Sequence, residues 1–436
     1  MADSARSDSP AVQTQLDRLK ALSRGGDELG LERVSALLAR LGKPQDKLPP
    51  VFHVAGTNGK GSTCAYLRAI LESSGRSVHM FTSPHLVRFN ERIRIAGKLI
   101  GDAKLAQLLE EVLDSSDGIE PSFFEATTAV AFLAFARAEA DTCIVEVGMG
   151  GRLDATNVID RPLVCGIAGL GIDHRQWLGK TLGDIAAEKA AIAKRGVPLV
   201  TQRYPARAAQ NVQRIAEEAG APWVARGALW DSRLIRGAIH YRDRDGALEL
   251  PMPLLPGRHQ AENAALAVAM LRQQEVFDIT PDAIAAGIAN AHWPARLQKL
   301  GPGPLTRRLP AGSELWIDGG HNAAAARLVA DFARNCFDGD LPLVVLFASL
   351  KSKDPRAMLK PFRGIASIVH TLPIADHDDR SPEQLSDLAK ELDFEASANS
   401  TLAEALGRIK TPSRVLVFGS LYLAGELLKA NGNRPD

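Results

Sequence analysis

The sequence is poor in the features that mark most specialised protein classes. It holds 4 cysteines in 436 residues (Cys64, Cys143, Cys165 and Cys336), far apart and without a CxxC pair. That spacing speaks against a disulfide framework or a zinc site and for reduced, mostly buried thiols. There is no charge excess either: 52 Lys and Arg stand against 51 Asp and Glu. A broadly basic nucleic-acid binder and a disordered acidic scaffold are thereby excluded. The richest apolar run, Ala129 to Ala136, ends at Arg137, short of the roughly 18–20 residues that a membrane-spanning helix needs. The opening MADSARSDSP is polar and has no apolar signal core. Residues 1–10 therefore read as a disordered leader, and the expected location is cytoplasmic. Internal repeats and low-complexity tracts are absent. No nucleic-acid or membrane partner is expected, and a monomer is the default. The electrostatics of any site must be local.

What is present is an alternation of strand-length apolar runs with helical patterns. Val51 to Ala55, Ser77 to Thr82 and Cys143 to Val147 read as buried strands, with helices over Ser62 to Ser73 and about Phe123 to Ala140. Leu163 to Ala168, Thr181 to Lys194 and Pro198 to Gln202 continue the rhythm, which calls for a mainly parallel sheet covered on both faces. Leu229 to Leu250 is short, charged and alternating, like antiparallel strands. Helices at about Glu262 to Arg272 and Pro281 to Asn290 follow. Gly301-Pro-Gly-Pro304 then reads as a linker, and the alternation restarts with Leu315 to Asp318. The expected division is a nucleotide-binding domain over 11–298, a linker at 299–304 and a smaller α/β domain over 305–436.

The segment Val51-Phe-His-Val-Ala-Gly-Thr-Asn-Gly-Lys-Gly-Ser62 is a strand, a Gly-rich turn and a helix start. Its glycines let backbone amides converge on phosphate oxygens, the helix N-terminus adds its positive dipole end, and Lys60 supplies a charge. It departs twice from G-x-x-x-x-G-K-[ST]: Val54 stands at the first glycine position, and Gly61 moves the hydroxyl to Ser62. Glu146 ends an apolar strand before a Gly-rich turn, which suits a ligand group at the carboxyl end of a parallel sheet and equally a solvated Glu at a strand exit. Taken alone, Glu188-Lys189 is a surface charge pair, His174 a structural hydrogen-bonder, and Phe123 and Phe124 part of a helix core face.

The loop Gly56-Thr-Asn-Gly-Lys-Gly-Ser62 resembles the variant used by the ATP-dependent Mur ligase superfamily, in its folate branch of folylpolyglutamate and dihydrofolate synthases. Six further blocks are similar in order and spacing, and a seventh, LGLERV, precedes the loop. The six are TSPHLVRFNERI (Thr82 to Ile93), EVGMGGRLDATN (Glu146 to Asn157), GIDHRQWLGKTLGDIAAEKAAI (Gly171 to Ile192), PARLQ (Pro294 to Gln298), DGGHN (Asp318 to Asn322) and FGSLYLAGE (Phe418 to Glu426). Two positions depart: Ala323 where the family usually has Pro, and Ala295 where Gly is common.

The resemblance implies an α/β fold: an N-terminal P-loop ATPase domain of the Mur ligase type and a smaller Rossmann-like C-terminal domain. It implies an ATP-dependent amide ligase that adds L-glutamate to dihydropteroate or to the γ-carboxyl of a reduced folate through an acyl phosphate. ATP is then a co-substrate, and two magnesium ions are needed to gather the anions. By the same resemblance Gly56, Thr57, Asn58, Gly59, Lys60, Gly61, Ser62, Asn263, Arg296 and Asp318 bind ATP. Ser83, Glu146 and His174 hold metal, with Asp173 beside them. Lys60, His174 and Lys189 act in catalysis, Lys189 as a carbamate formed with carbon dioxide. Phe123, Phe124, Glu125, Asp154, Ala155 and His321 meet the folate or glutamate substrate. Arg88 and Arg92, read from the residues alone, either meet acidic substrate groups or are solvated charges. The alternative is a peptidoglycan-type Mur ligase, which shares the loop and the lysine but usually places a domain of its own before the loop.

Overall fold

The computed structural model describes residues 5–22, 29–337 and 339–435. Its first sheet has eight strands: β1 (Val51–Ala55), β2 (Val78–Phe81), β3 (Ile93–Ile95), β4 (Lys98–Leu99), β5 (Thr142–Glu146), β6 (Val164–Ile167), β7 (Leu199–Thr201) and β8 (Trp223–Ala225). Their order is β4-β3-β2-β5-β1-β6-β7-β8. Pairs from β2 to β8 are parallel, and β3 and β4 form an antiparallel edge. Every residue of β1, β2, β5, β6 and β7 is buried, as a parallel sheet with both faces covered requires. β1 lies between β5 and β6, so the chain runs to opposite sides of it, and the crevice at its carboxyl end is where such sheets bind ligands.

The covering helices are α1 (Pro10–Leu22), α2 (Glu32–Arg40), α3 (Lys60–Ser73), α4 (Asp102–Asp114), α5 (Phe123–Ala136), α6 (Arg175–Leu178), α7 (Leu182–Ala190), α8 (Ala206–Ala219), α9 (Arg258–Leu271) and α10 (Pro281–Asn290). One core joins α1, α2, α4 and α5 to Val51, Phe81, Cys143 and Val145. A second joins α7 and α8 to Ala55, Val147, Cys165 and Ile167. α10 comes so close to α3 that a Cβ on Gly287 would stand 2.4 Å from the Ile70 Cα. Three further strands, β9 (Trp230–Ile235), β10 (Ala238–Asp243) and β11 (Gly246–Pro251), make a separate antiparallel sheet.

A second sheet of six strands holds β12 (Gln298–Lys299), β13 (Glu314–Ile317), β14 (Leu343–Phe347), β15 (Ala366–Thr371), β16 (Glu395–Ala398) and β17 (Arg414–Phe418), ordered β12-β13-β17-β14-β15-β16. All of its pairs are parallel except β12 with β13. No helix among the described residues is long and apolar enough to cross a membrane.

Two expectations need correction. Contacts divide the chain into one unit up to Leu254 with Gln260–His292, and another of Leu255–His259 with Trp293–Pro435. The boundary thus precedes Trp293, and residues 299–304 lie inside the second unit. Gly303 is there for packing: its amide donates to Thr306 Oγ1 at 2.7 Å, and a Cβ would fall 2.4 Å from Asn431 Oδ1. The leader 1–10 is ordered where it is described. Ala5 is buried, the Ser7 amide donates to Gln13 Oε1 at 2.8 Å, and α1 begins at Pro10; residues 1–4 lie outside the described residues.

Candidate active site

The phosphate loop owes its shape to its neighbour strand. The amides of Thr57 and Asn58 both donate to the Gly169 carbonyl beyond β6, at 2.9 and 3.0 Å, and Thr57 Oγ1 donates to the Gly171 carbonyl at 3.1 Å. Those two amides are therefore already engaged. Gly59 has φ +87, and the first bond of α3 runs from the Thr63 amide to the Gly59 carbonyl at 2.8 Å. The amides of Gly59, Lys60, Gly61 and Ser62 come before that bond and have no acceptor within the helix. They gather at its positive end, which suits an anion. Gly56 cannot be larger, because a Cβ would stand 2.9 Å from that of Ala168. The side chain of Asn263 covers the loop from α9: its Oδ1 would lie 2.3 Å from a Cβ on Gly59.

Glu146, the last residue of β5, lies in register with Val54 of β1. It is buried, with one carboxylate oxygen accepting the Ser83 amide at 3.2 Å and the other 3.9 Å from Lys60 Nζ. The 3.9 Å gap exceeds a hydrogen bond, so the ammonium and carboxylate face each other across a space rather than closing on it. A buried carboxylate oxygen beside a serine is a hard donor set, which fits magnesium. Among the described residues no group of three or more His, Cys, Asp or Glu is arranged to hold a metal. His174 immediately precedes α6, in the left-handed region at φ +49, and its amide donates to Asp173 Oδ1 at 2.9 Å.

Lys189 is not half of a surface pair. Glu188 pairs outward with Arg152 at 2.9 Å, while Lys189 is buried. Burial pushes its amine down from the ordinary 10.5 to about 7. Lys60 acts in the same direction, against Asp173, Asp154 and Glu188. Thr181 caps α7, accepting the Asp184 amide at 3.2 Å. The Gly150-Gly151 turn is packed onto the end of α7, where a Cβ on Gly151 would meet the Glu188 carbonyl at 2.6 Å.

The residues expected to meet the pterin divide into two kinds. Phe123 belongs to the core, edge-on to Phe89 at 5.9 Å. One carboxylate oxygen of Glu125, Oε2, accepts from the Ser122 amide at 2.6 Å and Arg33 Nε at 3.1 Å. Asp154 is buried and accepts from the Met149 amide, the Thr156 amide and Thr156 Oγ1, so it builds its own turn; Ala155 is buried beside it. Only Phe124 of this group is half-buried, its ring lying over Gly148 where a Cβ would come within 2.4 Å. Arg92 is no solvated charge. Its Nε donates to His85 Nδ1 at 2.9 Å and its guanidinium lies 5.4 and 5.6 Å from the Phe89 and Phe123 rings.

In the second unit Asp318 is buried, and its carboxylate accepts the Leu297 amide at 3.0 Å and the Gly320 amide at 2.7 Å. Burial raises its pKa against the nearby Arg296. Ala295 and Leu297, on either side of Arg296, both have positive φ, +55 and +45. His321 is half-buried, with Nδ1 3.1 Å from the Gly319 carbonyl. Sequence reasoning missed Gly169, whose carbonyl holds the loop, and Gln202 and Arg226 at the ends of β7 and β8. Gly169 had a signal, lying two residues before the recognised GIDH block.

Residues 54–271 match the Mur ligase middle domain. Over 93% of its length the chain is 34% identical to dihydrofolate synthase/folylpolyglutamate synthase of Bacillus subtilis, covering 95% of that protein. It is similar to the structure of Escherichia coli FolC in complex with DHPP and ADP, with TM-score 0.86, 30% identity and 97% of both chains covered. The Yersinia pestis bifunctional folylpolyglutamate synthase/dihydrofolate synthase, complexed with AMPPNP and a Mn ion, gives TM-score 0.84 and 30% identity over 98% of this chain and 99% of that one.

Proposed function

That the chain belongs to the folylpolyglutamate synthase/dihydrofolate synthase family, within the Mur ligases, is the premise from which we propose how its residues work. It is an ATP-dependent ligase joining L-glutamate to dihydropteroate or to the γ-carboxyl of a reduced folate. Its relation to peptidoglycan-type Mur ligases is confined to the superfamily. The observation that carries our reading is Lys60 facing the buried Glu146 at 3.9 Å, at the head of a helix whose first four amides lack intrahelical acceptors.

The amides of Gly59, Lys60, Gly61 and Ser62 hold the β- and γ-phosphoryl oxygens of ATP, and Lys60 adds a point charge that follows them into the transition state. Glu146, Ser83 and His174 would hold a divalent ion, which we take to be one of two magnesium ions. When bound, it supplies positive charge to the phosphoryl oxygens. The acceptor carboxylate attacks the γ-phosphorus, ADP leaves, and the amine of glutamate displaces phosphate from the acyl phosphate. Phe124 offers its ring to the pterin, while Phe123, Glu125, Asp154 and Ala155 keep it in place. Asn263, Arg296 and Asp318 contact the nucleotide, and His321 the glutamate. An amine near pKa 7 is about half neutral at neutral pH, and its neutral form is nucleophilic, so Lys189 attacks carbon dioxide and releases a proton, leaving a carbamate that would help hold a second magnesium ion.

The decisive assay offers ATP, magnesium and labelled glutamate with dihydropteroate or tetrahydrofolate in separate reactions. ATP-dependent incorporation is expected with at least one acceptor, and none with either overturns the reading. With 13C-bicarbonate, Lys189 gives a carbamate carbon signal that Lys189→Arg lacks. An active Lys189→Arg enzyme sinks the carbamate role and leaves the ligase standing.

A further inference from the structure

We infer that Arg226, remote in sequence from the phosphate loop, is a positioning residue for nucleotide binding that acts through Gln202 and the Glu262 backbone of α9 on Asn263. The inference rests on the reading of Asn263 as a nucleotide contact.

Arg226 follows β8 and spreads its guanidinium over four acceptors. Nη1 donates to Gln202 Oε1 at 3.1 Å and to Glu262 Oε1 at 3.3 Å. Nη2 donates to the Ser232 carbonyl at 2.8 Å, and Nε to Asp231 Oδ1 at 3.3 Å. Gln202, buried just after β7, uses its other amide atom, Nε2, to donate to the Glu262 main-chain carbonyl at 2.7 Å. The next residue is Asn263. It is buried, its Nδ2 donates to Gln260 Oε1 at 3.2 Å, and its Oδ1 fills the space beside Gly59.

The direction of the Gln202 amide is decided by Arg226. A carboxamide has one acceptor and one donor end, and a turned amide would set its NH2 against a guanidinium while its oxygen met the Glu262 carbonyl. Arg226 therefore fixes Gln202, Gln202 ties down the α9 turn, and that turn sets Asn263 over the loop. The ion pair with Glu262 is a minor part, because that carboxylate is 58% exposed and such pairs contribute little. Lysine cannot stand in, since one ammonium does not reproduce the planar fork.

The test uses the full-length enzyme. Arg226→Ala and Arg226→Lys are each expected to raise KM for ATP about fivefold, leaving kcat within about twofold and KM for glutamate unchanged. Asn263→Ala raises KM for ATP as well, and the double variant is no worse than the larger single, as for residues acting in one chain. Gln202→Glu keeps the acceptor for Arg226 and loses the donor to Glu262; it gives the same rise even if Arg226→Ala fails to fold. A fall in Tm without a change in KM for ATP, or additive effects in the double variant, overturns the inference. An Asn263→Ala enzyme with unchanged KM for ATP removes the nucleotide assignment of Asn263. An effect from Asn263→Ala with none from Arg226 or Gln202 variants removes the route alone.

Discussion

A lysine held near pKa 7 changes charge close to neutrality, and its effect on stability has a fixed sign. Between about pH 7 and 10.5 the unfolded chain keeps the Lys189 proton and the native state has shed it, so stability rises with pH across that window. Below pH 7 both states are protonated and the buried cation weighs fully against folding. Above 10.5 the difference is gone. Lys189→Met should therefore raise Tm most at pH 7 and progressively less towards pH 10, in bicarbonate-free buffer without metal. Equal pH slopes for the two proteins would clear Lys189 of the effect. Ala295 presents a simpler case. Its φ of +55 is a region that strains any residue with a Cβ. Both backbone partners, Gln298 Oε1 on its amide and the Gly319 amide on its carbonyl, survive in glycine. Relief of roughly 1–2 kcal/mol outweighs the added chain freedom and the lost buried methyl, so Ala295→Gly should stabilise by about 0.5 kcal/mol, read by denaturant melts. A loss of stability would refute the strain. That position was legible in advance because glycine is common there in the family; its partner Leu297 was not.

Among the elements, α3 and α10 give the sharpest contrast between propensity and packing. Gly287→Ala in an ordinary helix gains up to about 1 kcal/mol. Here the new Cβ would stand 2.4 Å from the Ile70 Cα and 2.6 Å from its amide nitrogen, backbone that cannot swing away. The substitution should instead destabilise by about 1–3 kcal/mol, as measured by urea unfolding; a stabilised variant would mean that the helices are not so close. Local elements were readable because their signals are local. The loop at 56–62 has its glycines, lysine and helix start within a few residues, and Pro281–Asn290 was read to its observed limits. Gln202, Arg226 and Glu262 were not readable: their bonds span 24 to 60 residues, and no short pattern marks three polar residues that meet only after the sheet has formed. Asp154 and Glu125 show what such reasoning leaves out: both Asp154 oxygens accept from nearby amides and the Thr156 hydroxyl, and Glu125 Oε2 accepts from the Ser122 amide and Arg33.

For the molecule as a whole, alternation of strands and helices was enough to foresee two α/β parts, because covered parallel sheets demand continuous apolar strands. The position of the division was misread because Gly-Pro repeats serve as linkers and as tight packing points alike, and composition does not separate the two. Charge shows the same limit: the near balance of 52 and 51 says nothing of Lys60 and Glu146 facing each other, or of Lys189 turned inward. The cysteines bring a last consequence, one of chemical handling. Cys64, Cys143 and Cys165 are buried in the first unit, where burial holds their thiols well above the ordinary range, and Cys336 alone is exposed. A maleimide dye added to the native protein should therefore tag one place, in the second unit, with no cysteine replaced beforehand. Cys64, inside the helix that begins at the phosphate loop, stays unlabelled until the fold opens, so the native chain carries its own single attachment point for fluorescence.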